Sequence, residues 1–148
     1  MTLSFLFVAA IVNLSTDANA QQAKPLVAGN QASVEDLVDR YFVSLNEPDD
    51  KKRRDLIKQV WAEKGTFVVV PFVEGEGLAG IDEVTKGGIT KFPNSTVRRT
   101  SKIDGSGIYY RWTFTLSRND GKPLSSGTDY AIIVDGKLQS VIGYLDWY

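Results

Sequence analysis

Apolar residues recur at helical spacing along the first half of the chain and at strand spacing along the second, and this change of period divides the fold. Val34, Leu37, Val38, Tyr41, Phe42 and Leu45 share one face of a helix over residues 33–45. Ser33 and Asp36 have the spacing of a capping box at its start, and the stretch 46–50, with Pro48, ends it. A second, shorter helix carries Leu56, Ile57, Val60 and Trp61 on one side and stops near Gly65. Residues 66–70 then read as a buried strand closed by Pro71, followed by a glycine-rich connection over 74–80. Ile81, Val84 and Ile89 suggest a third helix, limited by Gly87 and Gly88. The rest is strand and turn: 96–103, 108–117, 124–134 and 138–146, with hairpin signals at Asp104-Gly105, Asn119-Asp120-Gly121 and Asp135-Gly136. Helices first and an antiparallel meander afterwards predict an α+β domain, its helices covering one face of a curved sheet.

Alternation within two of these strands singles out one residue. Tyr110, Trp112, Phe114 and Leu116 share a face of the strand 108–117, with Tyr109, Arg111, Thr113 and Thr115 on the other. In the next strand Gly127, Asp129, Ala131 and Ile133 share a face. One side of the sheet therefore combines bulky aromatics with a lone carboxylate between small residues, which leave room beside it. A carboxylate on an apolar face is paired, hydrogen-bonded or protonated, and burial raises its pKa. Two plainer alternatives are that Asp129 lies exposed at a sheet edge, or that it pairs with Arg111 or Arg99.

Composition narrows the chemistry. The chain of 148 residues contains no cysteine and no histidine, which excludes disulfides, thiolate nucleophiles, Cys/His zinc sites and any imidazole base. Asp, Glu, Lys, Tyr, Ser and Thr remain. With 17 Lys+Arg against 18 Asp+Glu and no basic stripe, nothing calls for nucleic acid or an acidic membrane as partner. The glycine-rich stretch 75–80 lacks the spacing of a phosphate-binding loop, and no cofactor is implied. Asn94-Ser95-Thr96 matches a glycosylation sequon, a short pattern that arises readily by chance. The apolar run 3–12 and the following Ala18-Asn19-Ala20 read as a secretory signal peptide over residues 1–20, too short to span a bilayer. No Lys or Arg precedes that run, as a standard leader would require. The expected organisation is a leader, a flexible lead-in over 21–32, and one domain over 33–148. A cleaved leader implies a secreted or periplasmic protein with no membrane attachment, and an uncleaved segment a cytoplasmic one.

The order and spacing of several short motifs resemble the NTF2-like superfamily, within it the SnoaL-like polyketide cyclases and ketosteroid isomerases. The resemblance rests on the helix Val34-Glu35-Asp36-Leu37-Val38-Asp39-Arg40-Tyr41-Phe42, the step Trp61-Ala62-Glu63-Lys64-Gly65-Thr66-Phe67, and Pro71. It continues through Gly77-Leu78-Ala79-Gly80-Ile81, Phe92-Pro93, Arg111-Trp112, Ser126-Gly127-Thr128-Asp129 and Asp135-Gly136-Lys137-Leu138, and so covers residues 34–146. It implies a cone of about three helices on a strongly curved sheet, a deep apolar pocket between them, and a homodimer. In the isomerases a tyrosine of the first helix and a protonated aspartic acid of a late strand hydrogen-bond a developing enolate oxygen. Tyr41 and Asp129 fall at those positions. The isomerases' general base is an aspartate before the proline that follows the first strand; Val70 stands there and accepts no proton. The resemblance thus implies a pocket lined by Trp61, Val70, Phe92, Tyr110, Trp112 and Phe114, with Tyr41 and Asp129 orienting a carbonyl or hydroxyl on a small apolar ligand. Two alternatives stay open: an isomerase, cyclase or lyase whose base has moved to Glu74, Glu76 or Asp146, and a structural or dimerisation module with its pocket filled by the aromatics.

Overall fold

The computed structural model describes residues 30–147; the expected leader and most of the lead-in lie outside these. Helix α1, Gln31–Leu45, buries Val34, Leu37, Val38, Tyr41 and Phe42. It begins before Ser33, whose hydroxyl donates to the Asn30 carbonyl at 2.8 Å, so the expected capping box does not form. Its other end is tied down by Asn46, whose amide donates to the Phe42 and Val97 carbonyls and accepts from the Val97 N–H, each at 2.8 Å. Helix α2, Asp50–Val60, is capped by the Asp49 side chain, which accepts from the Lys52 N–H at 2.8 Å.

Trp61 does not belong to α2 as its spacing suggested, but opens strand β1, Trp61–Val70. The apolar face of the helix passes directly into the apolar face of the strand, so periodicity gave no sign of the boundary. The glycine-rich connection holds strand β2, Val73–Glu76, and the start of helix α3, Gly77–Lys91. That helix runs through Gly87 and Gly88. Ile81, Val84 and Thr85 are buried along it, and such packing outweighs the roughly 1 kcal/mol that each interior glycine costs.

Five strands follow: β3 Ser95–Arg99, β4 Asp104–Ser106, β5 Tyr109–Arg118, β6 Pro123–Val134 and β7 Lys137–Trp147. Asp104-Gly105 is not a turn but part of β4, paired to β5; the reversal falls instead at Gly107, with φ 65°. Asp135 and Gly136, at φ 51° and 70°, make the tight β6–β7 turn that the sequence signals.

The strands form one seven-stranded sheet in the order β2-β1-β7-β6-β5-β3, with β4 also on β5. The α+β class and the cone of helices on a curved sheet hold. One pairing departs from the antiparallel expectation: β1 runs parallel to β7, because the chain returns from β6 to the strand that left the helices first. Tyr41, Phe42, Trp61, Phe67 and Trp112 pack in edge-to-face or tilted contact at the centre of the core, their ring centroids 5.2–6.5 Å apart. Among the described residues no helix is long and apolar enough to cross a membrane.

Candidate functional site

Asp129 lies mid-strand on β6, paired with Trp112 on β5 and Gly143 on β7. It is 3% exposed and meets no cation among the described residues: Arg111 is bound to Asp104 at 2.8 Å and Arg99 to Asp39 at 3.0 Å. Both plainer readings of this residue, an exposed edge position or an ion pair, are therefore wrong. Its Oδ2 accepts two hydrogen bonds, from the Tyr41 hydroxyl at 3.1 Å and from the Trp112 indole N–H at 3.0 Å. The aromatic cluster fixes both donors. Among the described residues no donor reaches Oδ1, which lies beside Gly143.

This arrangement determines where a proton sits. Two donors occupy the two lone pairs of Oδ2, so the proton of the neutral acid belongs on Oδ1. Burial pushes the Asp129 carboxyl up to about 7, while the Trp112 and Tyr41 hydrogen bonds favour the charged form and hold it back. Burial, the adjacent Asp129 charge and the hydrogen bond to it push Tyr41 well above its ordinary range. Tyr41 thus remains a donor, and Asp129 exists in both forms near neutral pH. Neutral, it donates from Oδ1; ionised, it accepts there.

Asp129 lines a cavity of about 470 Å³ between sheet and helices, together with Gly143, beside which Oδ1 lies. Leu45, Asn46 and Pro48 form one wall, Val84, Thr85, Gly88 and Ile89 of α3 a second, and Phe92 to Ser95 the rim. Phe67, Val69, Phe114, Leu116, Gly143 and Leu145 form the sheet side. Asp129 and Tyr41 are the titratable residues in this lining. Asn46 and Thr85 spend their side-chain donors inside the protein. A pocket of this kind, mainly apolar with a buried carboxyl in its wall, fits a small-molecule site. Among the described residues, no cluster of three or more acidic groups comes together to hold a metal ion.

Of the residues singled out by sequence, Tyr41, Asp129, Phe92 and Phe114 meet in the cavity lining, and Trp61, Val70, Tyr110 and Trp112 do not. Trp61 packs behind Tyr41, 6.0 Å away between ring centroids. Trp112 stands beside Asp129 as its donor. Tyr110, further along β5, turns its hydroxyl to the Gly107 carbonyl at 3.1 Å. Val70 pairs with Tyr144 on the opposite face of the sheet, and its neighbour Val69 lines the cavity instead. Alternation moves the side chain by one face per residue, so the position before Pro71 points away from the pocket. Both residues are valines, so neither parity supplies a base. Glu74, Glu76 and Asp146 do not line the cavity either. The aromatics do not fill the pocket, since the space beside Asp129 remains open.

The geometry is that of an NTF2-like cone, and comparison with solved structures agrees. A candidate isomerase of the SnoaL-like family from Agrobacterium tumefaciens superposes with a TM-score of 0.73 at 31% identity, covering 78% of this chain and 98% of its own. A candidate SnoaL-like polyketide cyclase from Jannaschia sp. follows at TM-score 0.64 and 14% identity, over 85% of this chain and 91% of that one. A candidate ketosteroid isomerase from Kribbella flavida does so at 0.60 and 16%, over 79% and 80%. The latter two show the fold alone. The chain matches no family model and no curated protein sequence. On the first similarity, this chain belongs to the SnoaL-like family.

Proposed function

We propose that the protein binds a small, mostly apolar molecule in the cavity through a single carbonyl or hydroxyl group, held by Asp129 Oδ1. The observation that carries this reading is the division of labour on one carboxyl: Oδ2 is occupied by Tyr41 and Trp112, while Oδ1 has no partner among the described residues and lies beside Gly143, which lines the cavity. A ketone ligand is held by the neutral acid and a hydroxyl ligand by the carboxylate. Binding of 2-acetonaphthone and 2-naphthol across pH tests this directly. The ketone should bind more weakly as pH rises through about 7, the value of Asp129, and the naphthol more tightly, each by about tenfold for one hydrogen bond. A common trend for both, or none, would contradict it.

A second reading is favoured by the same free oxygen and its value near neutrality. Asp129 would move a proton between Oδ1 and the carbon next to a bound carbonyl, taking over the base that neither Val69 nor Val70 provides. Deuterium exchange into 2-acetonaphthone's methyl group, absent with Asp129→Asn, tests it; equal exchange in both proteins removes the reading.

The homodimer is proposed to use the sheet face turned away from the helices. Tyr109, Tyr130 and Tyr144 stand exposed there. One cross-strand row reads Glu74, Val68, Ile142, Tyr130, Arg111, and another Asp146, Ser126, Thr115, Arg98. Each runs from an acid to a base, with Asp104 sharing the charge of Arg111. A twofold axis along the strands sets the acidic end of one copy against the basic end of the other. Light scattering should give twice the monomer mass, and the monomer mass for Tyr130→Glu; a wild type that stays monomeric at high concentration rejects the dimer.

A further inference from the structure

We infer that Gly143 is a positioning residue, whose missing side chain keeps open the approach of a ligand to Asp129. The inference rests on the proposed ligand contact and adds the residue that makes it accessible. Gly143 is paired with Asp129 on one side and with Val69 on the other, so it lies between the carboxyl and the β1 wall of the cavity. A Cβ built on Gly143 would stand 2.7 Å from Asp129 Oδ1. The next nearest atoms are the Val68 carbonyl oxygen at 3.7 Å and Asp129 Cγ at 4.0 Å, so no side chain other than that of Asp129 approaches this point. An alanine methyl has two ways to fit. It displaces the carboxyl from Tyr41 and Trp112, or it stays in front of the one oxygen that is still free.

The neighbouring glycine on the same face shows that small size alone does not leave such an opening. A Cβ on Gly127 would meet the Tyr144 carbonyl oxygen first and then Phe114 Cζ at 2.6 Å, because backbone and ring already occupy that space. Of these two glycines, Gly143 is the one that also lines the cavity. Gly143 is not held by backbone torsion, since it is absent from the positive-φ glycines. An interior glycine weakens a strand, so its presence in β7 answers to the contact across the pair.

The test compares wild type, Gly143→Ala and Gly87→Ala. A Cβ at Gly87 meets nothing within 4 Å, so this variant controls for glycine replacement itself. Affinities for 2-naphthol and for naphthalene, which has the same rings without the oxygen, are measured on each. Wild type and Gly87→Ala should prefer the naphthol by about tenfold, and Gly143→Ala by less than about twofold. An undiminished preference in Gly143→Ala overturns the role of Gly143 and leaves the proposed function intact. No preference in wild type removes the proposed function instead. In that event the free proteins decide: the Trp112 indole N–H resonance and the Asp129 titration should move in Gly143→Ala and not in Gly87→Ala, and unchanged signals overturn the inference. If Gly143→Ala does not fold, the double variant with Asp129→Ala relieves the clash and should fold; a double variant no more stable than the single one overturns it as well.

Discussion

Arg53 and Asp129 are both sealed inside this molecule, and their surroundings are opposites. Arg53 is 1% exposed and satisfied on every side. Its Nε donates to Asp82 at 2.6 Å, Nη2 to Asp50 at 2.8 Å, and Nη1 to the Glu47 and Pro48 carbonyls at 3.3 and 3.4 Å. Burial works against its charge, but the Asp82 and Asp50 hydrogen bonds and charges outweigh that and hold it above the ordinary arginine range. Asp129 is about as deeply buried and, among the described residues, has two neutral donors, no cation and one oxygen without a partner. The first arrangement joins α2 to α3 and the loop before it. The second contributes little to cohesion and leaves a group ready to engage something from outside. A buried charge with all its partners inside the protein is part of the framework; one missing a partner beside a cavity is a candidate site.

The contrast is broken most severely at Arg53. Arg53→Met leaves Asp82 with the exposed Arg54, 3.7 Å away, in place of its buried partner, and stability in urea should fall by about 3 kcal/mol, the low end for a broken buried pair, with the Asp129 titration unchanged in the molecules that stay folded. A loss below about 1 kcal/mol would mean that the network is not the framework described. At Asp129 the sign reverses. Its folded value, about 7, lies above the ordinary aspartate value of 3.8. The stability it contributes is therefore complete below about 4 and is lost as pH rises through about 7. Asp129→Asn keeps the site neutral, so at pH 8 it should be more stable than wild type by on the order of 2–4 kcal/mol, a gap that closes toward pH 4. A variant less stable than wild type at pH 8 would show that the carboxylate is compensated after all.

Smaller effects sharpen the same distinction. Tyr41→Phe removes one of two donors on Oδ2; it should cost about 1 kcal/mol and raise the Asp129 value further, as followed by carboxyl-carbon NMR. Gly87→Ala, on the exposed side of α3, should stabilise by about 0.5–1 kcal/mol in thermal unfolding and leave that value alone.

Much of this site is legible in the residues alone. The alternation through Tyr110, Trp112 and Phe114 and through Gly127, Asp129 and Ala131 gives the inward face correctly, because one buried side imposes a strict period of two. Tyr41 reaches Asp129 from α1, as the family resemblance implies. Gly143 is hidden by register. Counting back from the Asp135-Gly136 turn sets Ile142 opposite Asp129, but an irregularity between Ile132 and Ile133 shifts the pairing by one and brings Gly143 there. Val69 is hidden for a related reason, since in a run of valines nothing in composition marks which faces the cavity. The parallel β1–β7 pairing, made by strands from opposite ends of the domain, leaves no local trace either.

The proposed site makes Asp129 a buried acid whose charge changes near pH 7, with one oxygen open to a ligand. Titration of its side-chain carboxyl carbon by NMR, assigned by its absence from Asp129→Asn, tests this most directly. The signal should titrate near pH 7 in the free protein, moving upward when 2-acetonaphthone is bound and downward with 2-naphthol. A carboxyl that titrates near 4 and does not respond to either ligand would contradict it.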